Sequence, residues 1–122
     1  MTRRSEDRIT PHLPLKPVDF LVLMVLAGGE RHGYALTQDI AAETGGTVRL
    51  VPGNLYTVLR RLLDAGLIRE SKRRPAPDLD DARRRYYGTT PTGRAVLTAE
   101  AGRLRDLVAA CEARDILSDS QS

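Results

Sequence analysis

Residues 52–66 read PGNLYTVLRRLLDAG and carry the clearest structural signal in the chain. Their large apolar residues recur at the i, i+3, i+4, i+7, i+8 spacing of one helical face, and they are Leu55, Val58, Leu59, Leu62 and Leu63. Pro52 suits the first turn of a helix, and Gly66 is a common residue just past a helix end. The pattern predicts an amphipathic helix that buries this apolar face.

The opposite face of this predicted helix carries side chains that suit DNA. It holds Asn54, Thr57, Arg60, Arg61 and Asp64. Asn and Arg can form paired hydrogen bonds with base edges in a major groove, and Thr can contact a thymine methyl group or a phosphate. A polar helix face by itself is more often a solvated surface. The neighbouring elements therefore decide between the two interpretations.

Two further helices are predicted upstream. Residues 17–27 form an apolar run that starts with a proline and is followed by two glycines, which indicates a buried helix. A shorter amphipathic helix is expected at about residues 33–44, where Leu36 and Ile40 lie one turn apart. His32 opens that helix, and we interpret it as a local capping or packing residue.

Downstream of the third helix, the pattern changes to that of a β-hairpin. Residues 67–73 and 85–90 are predicted strands, and residues 74–82 between them contain prolines and acids that indicate a long, mobile tip. Six basic residues flank this tip: Lys72, Arg73, Arg74, Arg83, Arg84 and Arg85. We expect these basic stems to contact a phosphate backbone, whereas the acidic tip argues against deep insertion.

A long terminal helix is predicted from Thr90, the N-cap, through Pro91 to about Leu117. One stripe of this helix has near-heptad spacing and consists of Leu97, Leu104, Leu107, Val108 and Cys111. We expect this stripe to form the contact between two copies of the chain.

The order of these elements predicts the fold class. A mainly α chain with a small β-hairpin, in the order three helices, hairpin and long helix, is typical of a winged helix-turn-helix domain with a C-terminal dimerisation helix. The expected organisation is a flexible arm over residues 1–15, the winged helix-turn-helix domain over 16–90, the dimerisation helix over 91–117 and a disordered tail over 118–122.

Two tyrosines accompany the predicted pair of helices. Tyr34 lies near the start of the second helix and Tyr56 in the first turns of the third. Either side chain could pack half-buried, with or without its hydroxyl reaching a phosphate. Tyr86 and Tyr87 alternate along a strand, so we expect one to face the core and the other to face solvent or a partner.

The composition narrows the possible function classes. The chain has 122 residues, of which 41% are hydrophobic and 4% aromatic, so we expect one domain with an aliphatic core. Cys111 is the single cysteine and is expected to be a packed thiol rather than a redox sensor. His12 and His32 do not share metal-ligand or triad-like spacing with other suitable residues. We therefore expect no enzymatic activity, no metal and no cofactor.

The charge and hydropathy patterns add two expectations. The formal net charge is +3, which is compatible with an anionic partner but is weak support by itself. The chain has neither an apolar run long enough to span a bilayer nor a secretory signal. We expect a cytoplasmic protein without a membrane partner.

Several short motifs occur in a fixed order: His32-Gly33-Tyr34, Pro52-Gly53-Asn54-Leu55-Tyr56, Leu59-Arg60-Arg61-Leu62, Gly66-Leu67-Ile68, and Arg85-Tyr86-Tyr87 with Thr90 and Gly93. Over about residues 16–100 the chain thereby resembles the PadR family of bacterial transcriptional regulators. The resemblance implies a dimeric winged-helix repressor whose C-terminal helix makes the dimer and which often releases DNA when a small molecule binds. Two departures from the family pattern are Thr89, where a large aliphatic residue is usual, and the absence of tryptophan.

These features predict a PadR-like repressor that binds double-stranded DNA as a homodimer and responds to a small-molecule effector. Two third helices would enter successive major grooves of a palindromic operator, and the effector would shift the spacing between them. The alternative is a winged-helix module that binds protein instead of DNA. Such modules tend to lose the basic wing, which this sequence retains, so the DNA interpretation is favoured.

Overall fold

The computed structural model describes residues 8–71 and 85–117. Within these ranges the elements are, in chain order, a 3₁₀ turn at Thr10–His12, α1 at Pro17–Ala27, β1 at Arg31–His32, α2 at Gly33–Glu43, α3 at Pro52–Asp64, β2 at Ile68–Glu70, β3 at Tyr86–Thr89 and α4 at Pro91–Ala113. The four numbered helices and the pairing of β2 with β3 agree with the predicted fold class. The fold prediction is therefore confirmed.

The helix boundaries follow from local chemistry. Proline occupies the first turn of α1, α3 and α4, where no intrahelical N–H bond is lost. His32 caps α2 because its Nδ1 atom accepts a hydrogen bond of 3.0 Å from the Ala35 N–H, which confirms the capping interpretation. Gly66 has a φ of +75° and reverses the chain after α3, a conformation that glycine adopts without strain.

Within the described part of the chain, the sheet has three strands rather than two. All pairs are antiparallel in the order β1-β3-β2, with Arg31 opposite Tyr87 and Ile68 opposite Thr89. The predicted two-stranded hairpin was therefore incomplete, because a two-residue strand such as β1 is too short to show an alternating pattern. β2 and β3 are also shorter than the predicted strands, and residues 72–84 lie outside the described part of the chain.

The core is almost entirely aliphatic, as expected. Its fully buried side chains come from all four helices and from the residue just before β2, and they include Val22, Leu23, Leu36, Ile40, Leu55, Leu59, Leu62, Leu67 and Val96. Tyr87 is buried with them, whereas Tyr86 is half-buried and packs edge-on against the His32 ring at 5.4 Å. The expectation that one of the two strand tyrosines faces the core is thus confirmed.

The prediction of a loose arm over residues 1–15 is wrong for residues 8–15. Ile9, Leu13 and Leu15 pack against the core, and the Leu15 N–H donates a hydrogen bond of 3.2 Å to the Glu100 Oε2 atom. These apolar residues are interrupted by polar ones and prolines and have no helical or strand period, so sequence patterns do not reveal their burial. The first seven residues lie outside the described ranges.

Glu100 anchors this segment to α4. It is 1% exposed, and its two carboxylate oxygens accept hydrogen bonds of 2.7 Å each from the Nε and Nη2 atoms of Arg103. These bonds lower the pKa of Glu100, against the opposing effect of burial, and the Leu15 amide lowers it further. The carboxylate is therefore charged, buried and fully paired near neutral pH.

Beyond Glu100, α4 projects from the core. Residues 101–113 contain no buried side chain, whereas Gly93, Val96 and Glu100 in the first half are buried. At a rise of 1.5 Å per residue, the projecting part is about 20 Å long. The helix ends at Ala113, slightly before the predicted end at Leu117, and the tail over 118–122 lies outside the described ranges.

A substitution at Gly93 would test how closely α4 packs against the turn that follows α3. A Cβ atom at this position would overlap the Leu67 carbonyl oxygen, whereas one at Gly102 would meet only an arginine side-chain nitrogen at 3.8 Å. We expect Gly93→Ala to lower the free energy of unfolding by at least about 2 kcal/mol. Gly102→Ala should leave it unchanged or raise it by about 0.5–1 kcal/mol, because alanine is the better helix former. Urea titrations at equal protomer concentration would measure both, and equal stabilities would contradict the packing.

The Glu100 ion pair makes the stability depend on pH. Because folding lowers the pKa of Glu100 from 4.5, the unfolded chain binds more protons below about that pH, and stability falls as the pH drops through the lowered pKa. Glu100→Gln should be less stable by about 1–3 kcal/mol near neutral pH and should lose less stability on acidification. Urea midpoints at a series of pH values would show this, with exposed Glu43→Gln as the control. Parallel acid profiles for wild type and Glu100→Gln would refute the role.

Candidate nucleic-acid interface

The outer face of α3 presents four polar side chains to solvent. Asn54, Tyr56, Thr57 and Arg60 are all exposed, while the opposite face of the helix is buried in the core. All four were considered as DNA contacts from the sequence, and the structure brings them together on one surface, which we call the α3 face. A straight helix with one exposed polar face is the shape that enters a major groove.

Arg60 is oriented along the α3 face by its neighbours. Its guanidinium lies 5.8 Å from the centre of the Tyr56 ring, donates a hydrogen bond of 3.5 Å to the Tyr56 hydroxyl and lies 3.8 Å from an Asp64 oxygen. The Tyr56 hydrogen bond, together with the charge of Asp64, raises the pKa of Arg60 above its already high value. Arg60 is thus always charged, and more than half of its side chain is exposed.

Arg61 has a different environment from Arg60. Its Nε atom donates a hydrogen bond of 3.1 Å to Asp19 Oδ2, and its Nη2 atom binds Asp19 Oδ1, so the pair is bidentate. The Asp19 side chain is only 8% exposed, whereas that of Arg61 is 38% exposed. Most of the guanidinium's hydrogen-bonding edge therefore faces α1 rather than a DNA ligand. The sequence predicted the same role for both arginines, but the structure separates them.

The two smaller polar residues of the α3 face keep acceptor or donor atoms for a partner. The Thr57 hydroxyl donates to the Gly53 carbonyl at 3.1 Å, which leaves its oxygen able to accept a hydrogen bond. The Asn54 amide makes no side-chain hydrogen bond with the described residues. An exposed amide with both a donor and an acceptor can pair with an adenine edge.

Tyr34 lies at the start of α2 and is half exposed. Together with Thr37, Leu50 and Pro52 it lines a groove of about 210 Å³ between α2 and the start of α3. Tyr34 thus lies beside the start of α3, which is compatible with either role considered for it. A phosphate contact by Tyr34 or Tyr56 stays a prediction.

The hairpin stems are only partly described. Lys72, Arg73, Arg74, Arg83 and Arg84 lie outside the described residues. Arg85 is described, and its Nε atom lies 3.6 Å from a Glu70 oxygen on the paired strand. Arg69 of β2 binds Glu30 at 3.0 Å, and the hydroxyl of Ser71, which directly follows β2, donates to the same carboxylate. The base of the hairpin is thus held by ion pairs.

Two residues beside the α3 face were not predicted from the sequence. Asp19 binds Arg61, and Lys16 lines a groove between the start of α1 and α3. The signal for Asp19 was available, because it is the one ionisable residue within the apolar run of residues 17–27. Lys16 directly precedes this run and had no pattern of its own.

The predicted dimerisation stripe divides into two parts. Leu97 packs partly against the core of its own chain. Leu104 and Cys111 are half-buried, while Leu107 is 51% and Val108 46% exposed on the projecting part of α4. Exposed apolar side chains grouped on a projecting helix are typical of a surface that binds another protein chain.

The described residues contain no cluster of three or more histidine, cysteine or acidic side chains that could hold a metal ion. None of the helices in these ranges is long and apolar enough to cross a membrane.

Comparison with known families gives a direct match. The model of the transcriptional regulator PadR-like family matches residues 22–99. The chain is 36% identical over 96 residues to the transcriptional regulator Rv3488 of Mycobacterium tuberculosis. This match covers 79% of this chain and 78% of that protein. It is also 41% identical over 81 residues to an uncharacterised 37.1 kDa protein in transposon TN4556 of Streptomyces fradiae. That match covers 66% of this chain and about a fifth (21%) of the transposon protein.

The fold is also similar to a solved structure, that of Bacillus subtilis PadR in complex with operator DNA. The two share a TM-score of 0.57 and 23% sequence identity, over 70% of this chain and 47% of that one. At this level of identity the similarity concerns the fold. The resemblance noted from the sequence motifs is confirmed by the family match.

Adjacent arginines on α3 allow a matched test of the Asp19 contact. Arg61→Gln leaves the buried Asp19 carboxylate without its bidentate partner, so we expect the free energy of unfolding to fall by about 1–3 kcal/mol. Arg60→Gln should leave stability unchanged, because that side chain is exposed. Urea titrations of both variants would measure the difference. Two variants as stable as wild type would show that the pair does not hold α3 in place.

Proposed function

The chain belongs to the PadR-like family of transcriptional regulators, whose members are regulators rather than enzymes, and on this premise we propose that it represses transcription by binding double-stranded DNA as a homodimer. The observation that carries the proposal is the α3 face. A permanently charged Arg60, ordered by Tyr56, lies on one exposed surface with Asn54 and Thr57. Arginine and asparagine are the side chains best suited to read guanine and adenine in a major groove.

The hairpin supplies the second contact in this proposal. Its sequence carries six basic residues on its two stems, from Lys72 to Arg74 and from Arg83 to Arg85. Each cation that neutralises a phosphate releases a counterion and adds affinity independent of sequence. We propose that α3 reads bases while the hairpin stems contact the backbone. A relative of the same fold has been solved with operator DNA, which is compatible with this arrangement.

The projecting part of α4 carries the proposed dimer contact, which consists of its apolar stripe and does not include the exposed Arg105. Leu104, Leu107, Val108 and Cys111 form a stripe along it, and the most exposed of them would be left in water in a single chain. Packing this stripe against a second copy would bury apolar surface, which is favourable in proportion to its area. A two-fold dimer presents two α3 faces, so the proposed operator is palindromic, with half-sites about 34 Å apart.

Regulation by a small molecule is compatible with the proposed dimer. An effector can act only if it binds one arrangement of the dimer better than another. We propose that such a molecule changes the angle between the two copies and hence the distance between the α3 faces. A dimer whose α3 faces no longer match the half-sites would release the operator.

A fluorescence-anisotropy titration tests the proposal. The purified full chain is titrated against a duplex from its own upstream region and against a scrambled duplex, over a series of salt concentrations. We expect a preference of about 10³-fold or more and a steep decrease of affinity with salt. Arg60→Gln should weaken binding to the specific duplex by about 10-fold or more, and Arg105→Gln, a change of an exposed cation on α4, should not.

Two outcomes would contradict the proposal. Absence of binding to either duplex at low salt would favour the alternative in which the module binds protein. Specific binding that is unchanged by Arg60→Gln would show that the α3 face does not read DNA. Sedimentation equilibrium of wild type and of Leu107→Glu tests the dimer, because a charge in the stripe should shift the chain toward monomer.

A further inference from the structure

A groove lies between the start of α1 and the N-terminal half of α3, directly beside the α3 face. It has a volume of about 350 Å³, and its lining includes Lys16, Leu50, Asn54, Thr57 and Arg61. Two of these residues, Asn54 and Thr57, belong to the surface proposed to read DNA. We infer that this groove seats the sugar-phosphate backbone of one DNA strand and that Lys16 is a phosphate-contact residue. This inference rests on the proposed function.

Lys16 is the uncommitted cation at this groove. Its side chain is exposed, and it makes no salt bridge within the described part of the chain. By contrast, Arg61 is bound by Asp19, and Arg60 contacts Tyr56 and Asp64. A lysine ammonium is a compact charge on a flexible stem, which suits it to a phosphate rather than to a base edge.

The groove is complementary in charge and surface to a DNA strand. None of its lining residues is acidic. The Asp19 carboxylate contacts the lining residue Arg61, but it is buried and neutralised by that arginine. Pro17, Val18 and Val58 give the groove an apolar wall, against which a deoxyribose can pack. Phosphate and sugar contacts fix the orientation of a protein on the duplex.

Lys16 lies beside a different part of α3 from the hairpin, so the two would contact the DNA backbone at different places. The hairpin follows the C-terminal end of α3, whereas Lys16 and Leu50 lie beside Asn54 in its N-terminal half. A helix in a major groove about 12 Å wide has phosphates on both sides. The hairpin and the groove can thus contact the backbone at two different places, which would fix the angle of α3 in the groove.

The test compares Lys16→Gln with Arg105→Gln, which removes an exposed cation from α4. Both full-length variants are titrated against the own-upstream duplex and the scrambled duplex over the same salt series. Because a phosphate contact carries no sequence information, Lys16→Gln should weaken binding to both duplexes by a similar factor, about 10-fold for a dimer. The slope of log affinity against log salt should fall by about two, one for each protomer.

Three further results complete the test. Arg105→Gln should leave affinity and slope at wild-type values, and Lys16→Arg should retain both. A wild type that binds DNA, together with Lys16→Gln of unchanged affinity and slope, would overturn the inference while the proposed function stands. A loss confined to the specific duplex would overturn it too, because Lys16 would then contact bases. If wild type binds neither duplex, the proposed function fails and the inference fails with it.

Discussion

The structure depends on one close contact, between the first turn of α4 and the turn that follows α3. The Thr90 N–H donates to the Leu67 carbonyl at 3.1 Å, and the Thr90 hydroxyl donates to the Gly66 carbonyl at 2.6 Å while accepting from the Gly93 N–H at 2.9 Å. Only a residue without Cβ fits at Gly93, because the Leu67 backbone lies directly against it. The end of α3, the start of the hairpin and the start of α4 are thereby joined at one point.

Two buried carboxylates extend this fixed framework to α1. Asp19 near the start of α1 binds Arg61 of α3, and Glu100 of α4 binds the backbone just before α1 at Leu15. A buried charge stabilises a fold little compared with apolar packing, but a mispaired one is costly. The Asp19–Arg61 contact and the Glu100–Leu15 contact therefore favour the arrangement of helices in which both carboxylates are paired. The same requirement explains why two neighbouring arginines differ, since Arg61 neutralises Asp19 while Arg60 stays on the exposed face.

The sequence predicted those features that depend on neighbouring residues along the chain. Helical periodicity, proline starts and glycine ends identified α1 to α4, and the spacing in α3 separated its buried face from its exposed one. Features that depend on distant residues were missed: the Leu15–Glu100 hydrogen bond joins positions 85 residues apart, and the Asp19–Arg61 pair joins positions 42 apart. The two-residue β1 strand was missed because it is too short to show an alternating pattern and because its partner, β3, lies far along the chain. The α3 face was predicted because its residues lie on one helix. The groove at Lys16 was not predicted because it forms between residues of α1 and α3 that are distant in the sequence.

The framework also bears on how the proposed dimer could be regulated. Because α4 is one continuous helix from the contact at Gly93 to the exposed stripe, each α3 face proposed to bind DNA is rigidly attached to its own half of the proposed dimer contact. A change in the angle between two α4 helices would then move each α3 face as a whole, without rearranging the core. Half-sites about one helical turn apart tolerate little change in that distance. Under the proposed function, a ligand that binds at the dimer contact could therefore release DNA without touching α3.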